Sequence, residues 1–202
     1  MNNLAKLGQE FGQYVIRLTS ELLVRTSQPK SLSEMERNIR QMLLKLGQFL
    51  LSAWLALQEN GYPTESRPCP HCGGQAAYQF KRSALLLTIL GQVEYNRAYY
   101  LCPACQQGHY PLDQQLGLRP GQISAELESL TGMTGAQLPF GQSSQLFEAL
   151  TLVSVSDHTV AKATQAIGGE VQSQEAEWIA QSRDEVWLQE QQRLAQHPQR
   201  LY

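Results

Sequence analysis

The chain has 202 residues, 42% of them hydrophobic, and a formal net charge of −2. That is enough apolar material to bury a core. The longest nearly apolar runs, Phe49 to Leu57 and Leu85 to Leu90, fall far short of the roughly 20 residues that span a bilayer. The first residues, MNNLAKLGQEFGQ, lack the basic, apolar and small-residue parts of a secretion signal, so the expectation is a cytoplasmic protein with no membrane partner. Charge is unevenly spread: residues 1–60 hold seven Lys/Arg against five acids, 61–122 five against three, and 123–202 four against ten. A mildly basic front permits contact with nucleic acid, but bulk basicity cannot be what binds it.

In chain order, Leu4, Leu7, Phe11, Tyr14, Val15, Leu18 and Leu22 recur every three or four residues, the stripe of an amphipathic helix that Pro29 should end. A second helix begins at SLSE, where Ser31 and Glu34 have capping-box spacing. Its apolar face is Met35, Ile39, Met42, Leu43, Leu46, Leu50, Ala53, Trp54 and Leu57. Two helices joined this way predict an antiparallel hairpin over residues 1–60, and the length of the second implies that it packs on something more, a core or a dimer. The run NGYPTESRP, Asn60 to Pro68, reads as a linker.

The period then changes. QAAYQFKR, ALLLTI and QVEYNRAYYL are rich in aromatic and branched residues, with turn signals at Gly73–Gly74 and Gly91–Gln92, and predict three strands of a small antiparallel sheet within residues 61–121. All four cysteines flank it, Cys69 and Cys72 before the first strand, Cys102 and Cys105 after the last. In a reducing compartment clustered cysteines bind metal or do redox work more often than they form disulfides. Each Cys-Pro-x-Cys turn aims two thiolates at one centre, and two such turns complete a tetrahedral S₄ set suited to a structural Zn²⁺. The 29 residues between the pairs are about what three strands need. His71 and His109 lie beside the pairs, but four thiolates leave no coordination position for them or for catalysis.

After QQGHYPLDQQLGLRPGQ, read as a Gly/Pro-rich connection, the chain turns helical again. SAELESLTGMTGA, capped by Ser124, SSQLFEALT, and DHTVAKATQAIG, capped by Ser156 and ended at Gly168 and Gly169, give a helix-turn-helix-like domain over 122–170. On its last helix His158, Thr159, Lys162 and Gln165 are polar while Val160, Ala163 and Ile167 face inward. A Gln/Glu-rich helical tail follows over 171–202, with Trp178, Ile179, Val186, Trp187 and Leu194 in need of a packing partner. The fold class is therefore mainly α with a small β zinc ribbon.

The order CPHCGG, ILGQVEYNRAYYLCPACQQGHYPLDQQLGL and FEALTLVSVSDHTVAKATQAIG resembles the N-terminal half of the ISKra-type insertion-sequence transposases, from about Glu34 to Gly168. The resemblance implies a zinc-bearing, helix-turn-helix front end that recognises transposon-end DNA, followed in that family by an RNase H-like domain with three metal-binding acids. Here the aspartates are Asp113, Asp157 and Asp184, read as a loop, a helix start and a helical tail, with no pattern of strands to group them. The catalytic domain is expected to be absent from this chain, leaving double-stranded DNA as the partner, with a homo-oligomer or a separate catalytic chain. DNA would be held by Lys162 on a phosphate, by His158, Thr159 and Gln165 at base edges, and by Lys81, Arg82 and Arg97 of the ribbon on the backbone. Two other classes stay open. One is a zinc-stapled protein-protein interaction or oligomerisation module that reads no DNA; the other is a redox or metal-handling protein with reactive CxxC pairs.

Overall fold

A computed structural model describes residues 2–26, 31–59, 66–119 and 121–182, together with 189 and 193. Among these, ten elements follow in chain order: α1 (Asn2–Thr26), α2 (Leu32–Glu59), β1 (Ser66–Pro68), β2 (Gln75–Thr88), β3 (Gly91–Leu101), β4 (Gly108–His109), α3 (Pro111–Leu116), α4 (Ala125–Gly135), α5 (Phe140–Thr151) and α6 (Asp157–Gln181). The protein is mostly helical, with one four-stranded antiparallel sheet of order β1-β2-β3-β4. Of the described helices, none is long and apolar enough to cross a membrane. Pro29, Asn60, Val186, Trp187, Leu194 and Asp184 lie outside the described residues.

Two compact units make up the chain. The first comprises residues 1–128 and 147–154, the second 129–146 and those from Val155 on. In the first, the helical hairpin and the sheet, divided by the sequence at residue 60, share one core. Ser31 caps α2, accepting from the Glu34 N–H at 3.3 Å. One face of α2 packs on α1, where Phe49 stacks on Tyr14 at 4.8 Å. A second face packs on the β2–β3 hairpin: Leu55 joins Ala84, Leu86, Val93, Tyr95 and Leu112 in a buried cluster. Ser52 and Gln48 donate to the carbonyls of Glu94 and Leu90 at 3.0 and 2.7 Å.

The sheet departs from expectation in four ways. The run read as a linker holds β1, Ser66–Pro68, paired with β2, so Cys69 and Cys72 follow a strand instead of preceding the first. QAAYQFKR and ALLLTI are not two strands but one, β2, of 14 residues. A bulge interrupts it at Gln79, between the pairs Tyr78–Tyr100 and Phe80–Tyr99, and the exposure of every residue from Tyr78 to Ser83 leaves no alternation to mark the continuity. The turn comes earlier, over residues 89–90, where the Thr88 hydroxyl accepts from the Leu90 N–H and donates to the Gly91 carbonyl at 3.1 and 2.9 Å. Finally, the stretch read as a connection holds β4 and α3. Pro111 is not a breaker there; it sits in the first turn of α3, where a missing N–H costs nothing.

In the second unit, α6 runs straight through Gly168 and Gly169 instead of ending there. Neither glycine adopts a left-handed backbone, and a helix-interior glycine costs only about 1 kcal/mol. The expected tail is thus, as far as Gln181, the second half of α6. Ser156 caps it as read, accepting from the Thr159 N–H at 3.1 Å. Val160 and Ala163 are buried and Ile167 half-buried, because Gly132 and Gly135 of α4 let the helices approach closely. A Cβ at Gly132 would stand 3.1 Å from the Ala163 carbonyl oxygen, and one at Gly135 2.7 Å from Val160 Cγ1.

Candidate metal centre

The two cysteine turns are copies of one backbone design. Cys69 N–H donates to the Gly74 carbonyl and Gly73 N–H to the Cys69 carbonyl, at 2.6 and 2.9 Å; Cys102 N–H donates to Gln107 and Gln106 N–H to Cys102, at 3.0 and 2.9 Å. The fifth residue of each turn is left-handed, Gly73 at φ 73° and Gln106 at φ 57°. Glycine takes that conformation freely and glutamine under strain, so the second turn is held by its surroundings: β1 and β4 bracket the pairs on either side of β2 and β3.

These turns bring the four sulfurs together. All lie within 4.8 Å of one another, with Cys69–Cys105 and Cys72–Cys102 each at 3.6 Å. A tetrahedral ion with metal–sulfur bonds of about 2.3 Å has sulfur–sulfur edges of about 3.8 Å; the two 3.6 Å pairs already match that edge, and the cluster is close enough to hold a metal ion. Cys69 and Cys102 are buried and Cys72 is exposed. The backbone favours charge on sulfur: the Cys105 N–H, then that of Ala104, draws the Cys102 thiol down to about 7. Cys105 also has an N–H, that of Gln107, favouring its thiolate, yet burial and the hydrogen bonds of Cys72, Cys69 and Cys102 push it up to about 12. A cation bound by the four sulfurs would displace the thiol protons. His109 is not among the converging ligands. It is buried, stacked on Tyr100 at 5.8 Å, with Nδ1 unpartnered, and burial, then the charges of His71 and Arg67, lowers its pKa.

The residues expected to touch DNA fare differently. Lys81 and Arg82 are exposed on β2, in the stretch from Tyr78 to Ser83 that is exposed throughout. Arg97 is not available as a third cation. Its guanidinium pairs with the Asp113 carboxylate and lies 3.8 Å over the Tyr110 ring, and its side chain keeps only 11% of its exposure. Register explains this: Arg97 sits directly opposite Arg82, and like charges facing across a ladder repel, so a buried carboxylate on the next element takes one of them inward. Asp113, read as a loop residue, is 8% exposed and also accepts from the Tyr95 hydroxyl at 2.8 Å. Burial, then Asp113, raises the Tyr95 pKa. Sequence reasoning missed this Tyr95–Asp113–Arg97–Tyr110 group; the signal was the aspartate in the first turn of a proline-started helix.

On α6, His158, Lys162 and Gln165 are exposed along one face. Thr159 is half-buried, its hydroxyl 2.9 Å from that of Ser156. Asp157 is exposed in the first turn of α6. No protein-family model matches this chain, and no curated protein matches it either.

Proposed function

We propose that Cys69, Cys72, Cys102 and Cys105 hold one structural zinc ion, that the sheet they close is a zinc ribbon, and that the chain is the DNA-binding, pre-catalytic portion of a transposase acting at element ends. When bound, zinc would act as a cross-link between two turns; four thiolates leave it no open position for chemistry. The observation that carries the DNA reading is the first three turns of α6. A hydroxyl-capped start presents His158, Lys162 and Gln165 outward while Val160 and Ala163 are buried, the division of labour of a recognition helix that reaches base edges and phosphate together. Helices α5 and α6, joined by residues 152–156, are the helix-turn-helix-like pair. Lys162 contacts phosphate, His158 and Gln165 contact bases, and Thr159 serves mainly the cap. Acids surround α6 in sequence, so a second anchor is needed, and Lys81 and Arg82 on the exposed stretch of β2 provide it; Arg97 is withdrawn from that role. On this reading the chain does not cut DNA by itself; Asp113, for one, is engaged by Arg97 and Tyr95.

Titrating duplex DNA carrying element ends at several salt concentrations tests this. Lys162→Ala should weaken binding and lower the salt slope by about one. Changing Lys81 and Arg82 together should weaken all sequences about equally, and Gln165→Ala should change preference between them. Added Mg²⁺ should yield neither nicks nor joints. Variants that all bind like the parent would sink the reading in favour of an interaction module, the alternative that the exposed apolar side of α2 supports.

A further inference from the structure

Helix α2 has three faces, and two of them are covered, by α1 and by the β2–β3 hairpin. The third is apolar and exposed among the described residues, with Arg40 at its edge donating to the Leu150 carbonyl. Leu32, Met35, Ile39, Leu43, Leu50, Trp54 and Leu57 run along it, between 38% and 69% exposed, with Leu46 and Ala53 half-buried at its margin. The 28 residues of the helix make this stripe about 42 Å long. Taking roughly 100 Å² from each of its exposed side chains gives about 700 Å², close to the ~800 Å² that each partner of a stable complex contributes. Monomers rarely leave a continuous patch of that size to water.

Its spacing names the occupant. Leu43, Leu50 and Leu57 are seven residues apart, as are Leu32, Ile39, Leu46 and Ala53, the two apolar positions of a heptad that pairs helix with helix. We propose that this stripe packs against the same stripe of a second copy, antiparallel, about a two-fold axis passing between Leu44 and Lys45. In that register Leu32 lies opposite Leu57, Ile39 opposite Leu50 and Leu43 opposite Leu46, each pairing occurring twice, as an isologous interface demands. The one charge in the series, Glu36, then meets the small Ala53, between the Leu32–Leu57 and Ile39–Leu50 layers and away from its own copy. A parallel pairing would set Glu36 against its own copy, two carboxylates face to face, which works against it. The proposal concerns α2 alone and does not depend on the DNA reading.

Sedimentation of the full, metal-loaded chain from low to high micromolar concentration tests it. A dimer is expected, and Leu43→Glu should raise its dissociation constant about a hundredfold or more, since the change is felt twice per dimer. Glu36→Leu should tighten it about tenfold, and this variant reads the interface even where Leu43→Glu disturbs folding. For orientation, Leu32→Cys and Leu57→Cys chains should form covalent dimers when mixed under mild oxidation, and neither alone. A monomer at every concentration overturns the proposal. So does a dimer indifferent to both substitutions, a stripe that only a different protein covers, or cross-linking of Leu32→Cys with itself.

Discussion

The two ends of the β2–β3 hairpin are built from the same pair of strands and held by different means. At the turn end, Ala84, Leu86, Val93 and Tyr95 are buried under Leu55 of α2 and Leu112 of α3, with Asp113 and Arg97 closing the side. At the open end the buried cluster is Cys69, Ala76, Ala98, Tyr100 and Cys102: two alanines, one ring and sulfur. Between the two, β2 is exposed from Tyr78 to Ser83. One end therefore has a hydrophobic core with a helix on top, and the other has almost nothing to bury except its own ligands. The proposed zinc would supply at the open end what the core supplies at the turn end, since small metal-bound sheets gain folding energy from the metal itself.

The largest effect should come from breaking the staple. Replacing Cys105 by Ser, or adding a strong chelator, should remove the bound metal and with it the order of the open end. The energy at stake is that of structural zinc sites, about 10–16 kcal/mol of apparent binding. Amide exchange checks the asymmetry: protection of Ala76, Tyr100 and His109 should collapse, while Leu86, Val93 and Tyr95, buried under α2, should keep theirs. In the intact protein the four thiols should resist alkylation until chelator is added. Native protein that contains no metal, or uniform loss of protection at both ends, would break the comparison.

The next effect lies at the turn end. Asp113→Ala leaves the Arg97 guanidinium half-enclosed against Tyr110 with its carboxylate gone and its Nε already unpartnered. Removing one partner of a buried pair costs about 3–5 kcal/mol, to be read as a lowered midpoint of denaturant unfolding. Metal content should stay unchanged, because the sulfurs do not touch this group. An Asp113→Ala protein that unfolds at the parent's denaturant concentration would show that the pair contributes nothing.

What could be read in advance follows from how local each feature is. The thiol cluster was legible because Cys-Pro-x-Cys spells its own turn within four residues, and the second copy repeats it. Ser31, Ser124 and Ser156 were legible as caps for the same reason: each bonds within three residues of itself. Strand β2 was misread because its middle, Tyr78 to Ser83, is exposed at every position and carries no alternation to join QAAYQFKR to ALLLTI; only the pairing with β3 shows the continuity. Arg97 was misassigned because its carboxylate lies 16 residues away, on a helix whose starting proline looks like a loop. The bare side of α2 was half legible. Its apolar positions were named except Leu32, but sequence alone does not divide a helix with apolar residues on three sides into the faces that α1 and the sheet cover and the face they leave.

The smallest effect separates the charge of Asp113 from the contacts that hold it. Tyr95 is buried among Leu55, Ala84, Leu86, Val93 and Leu112, and only its hydroxyl reaches out of that cluster, donating to Asp113 Oδ1 at 2.8 Å. Tyr95→Phe keeps the ring and its packing and removes one donor from a carboxylate that still has Arg97. A hydrogen bond to a charged group is worth about 1.5–3 kcal/mol. Because the Arg97 pair stays intact, the loss should sit at the low end of that range and below the cost of Asp113→Ala. The double variant decides how the two contacts are related. If the hydroxyl acts only through Asp113, Tyr95→Phe should cost nothing further in a protein that already carries Asp113→Ala, a non-additivity measurable in the unfolding midpoint. Fully additive losses would mean that the hydroxyl stabilises this end of the hairpin by some other contact, and the Tyr95–Asp113–Arg97 group would then not act as one unit.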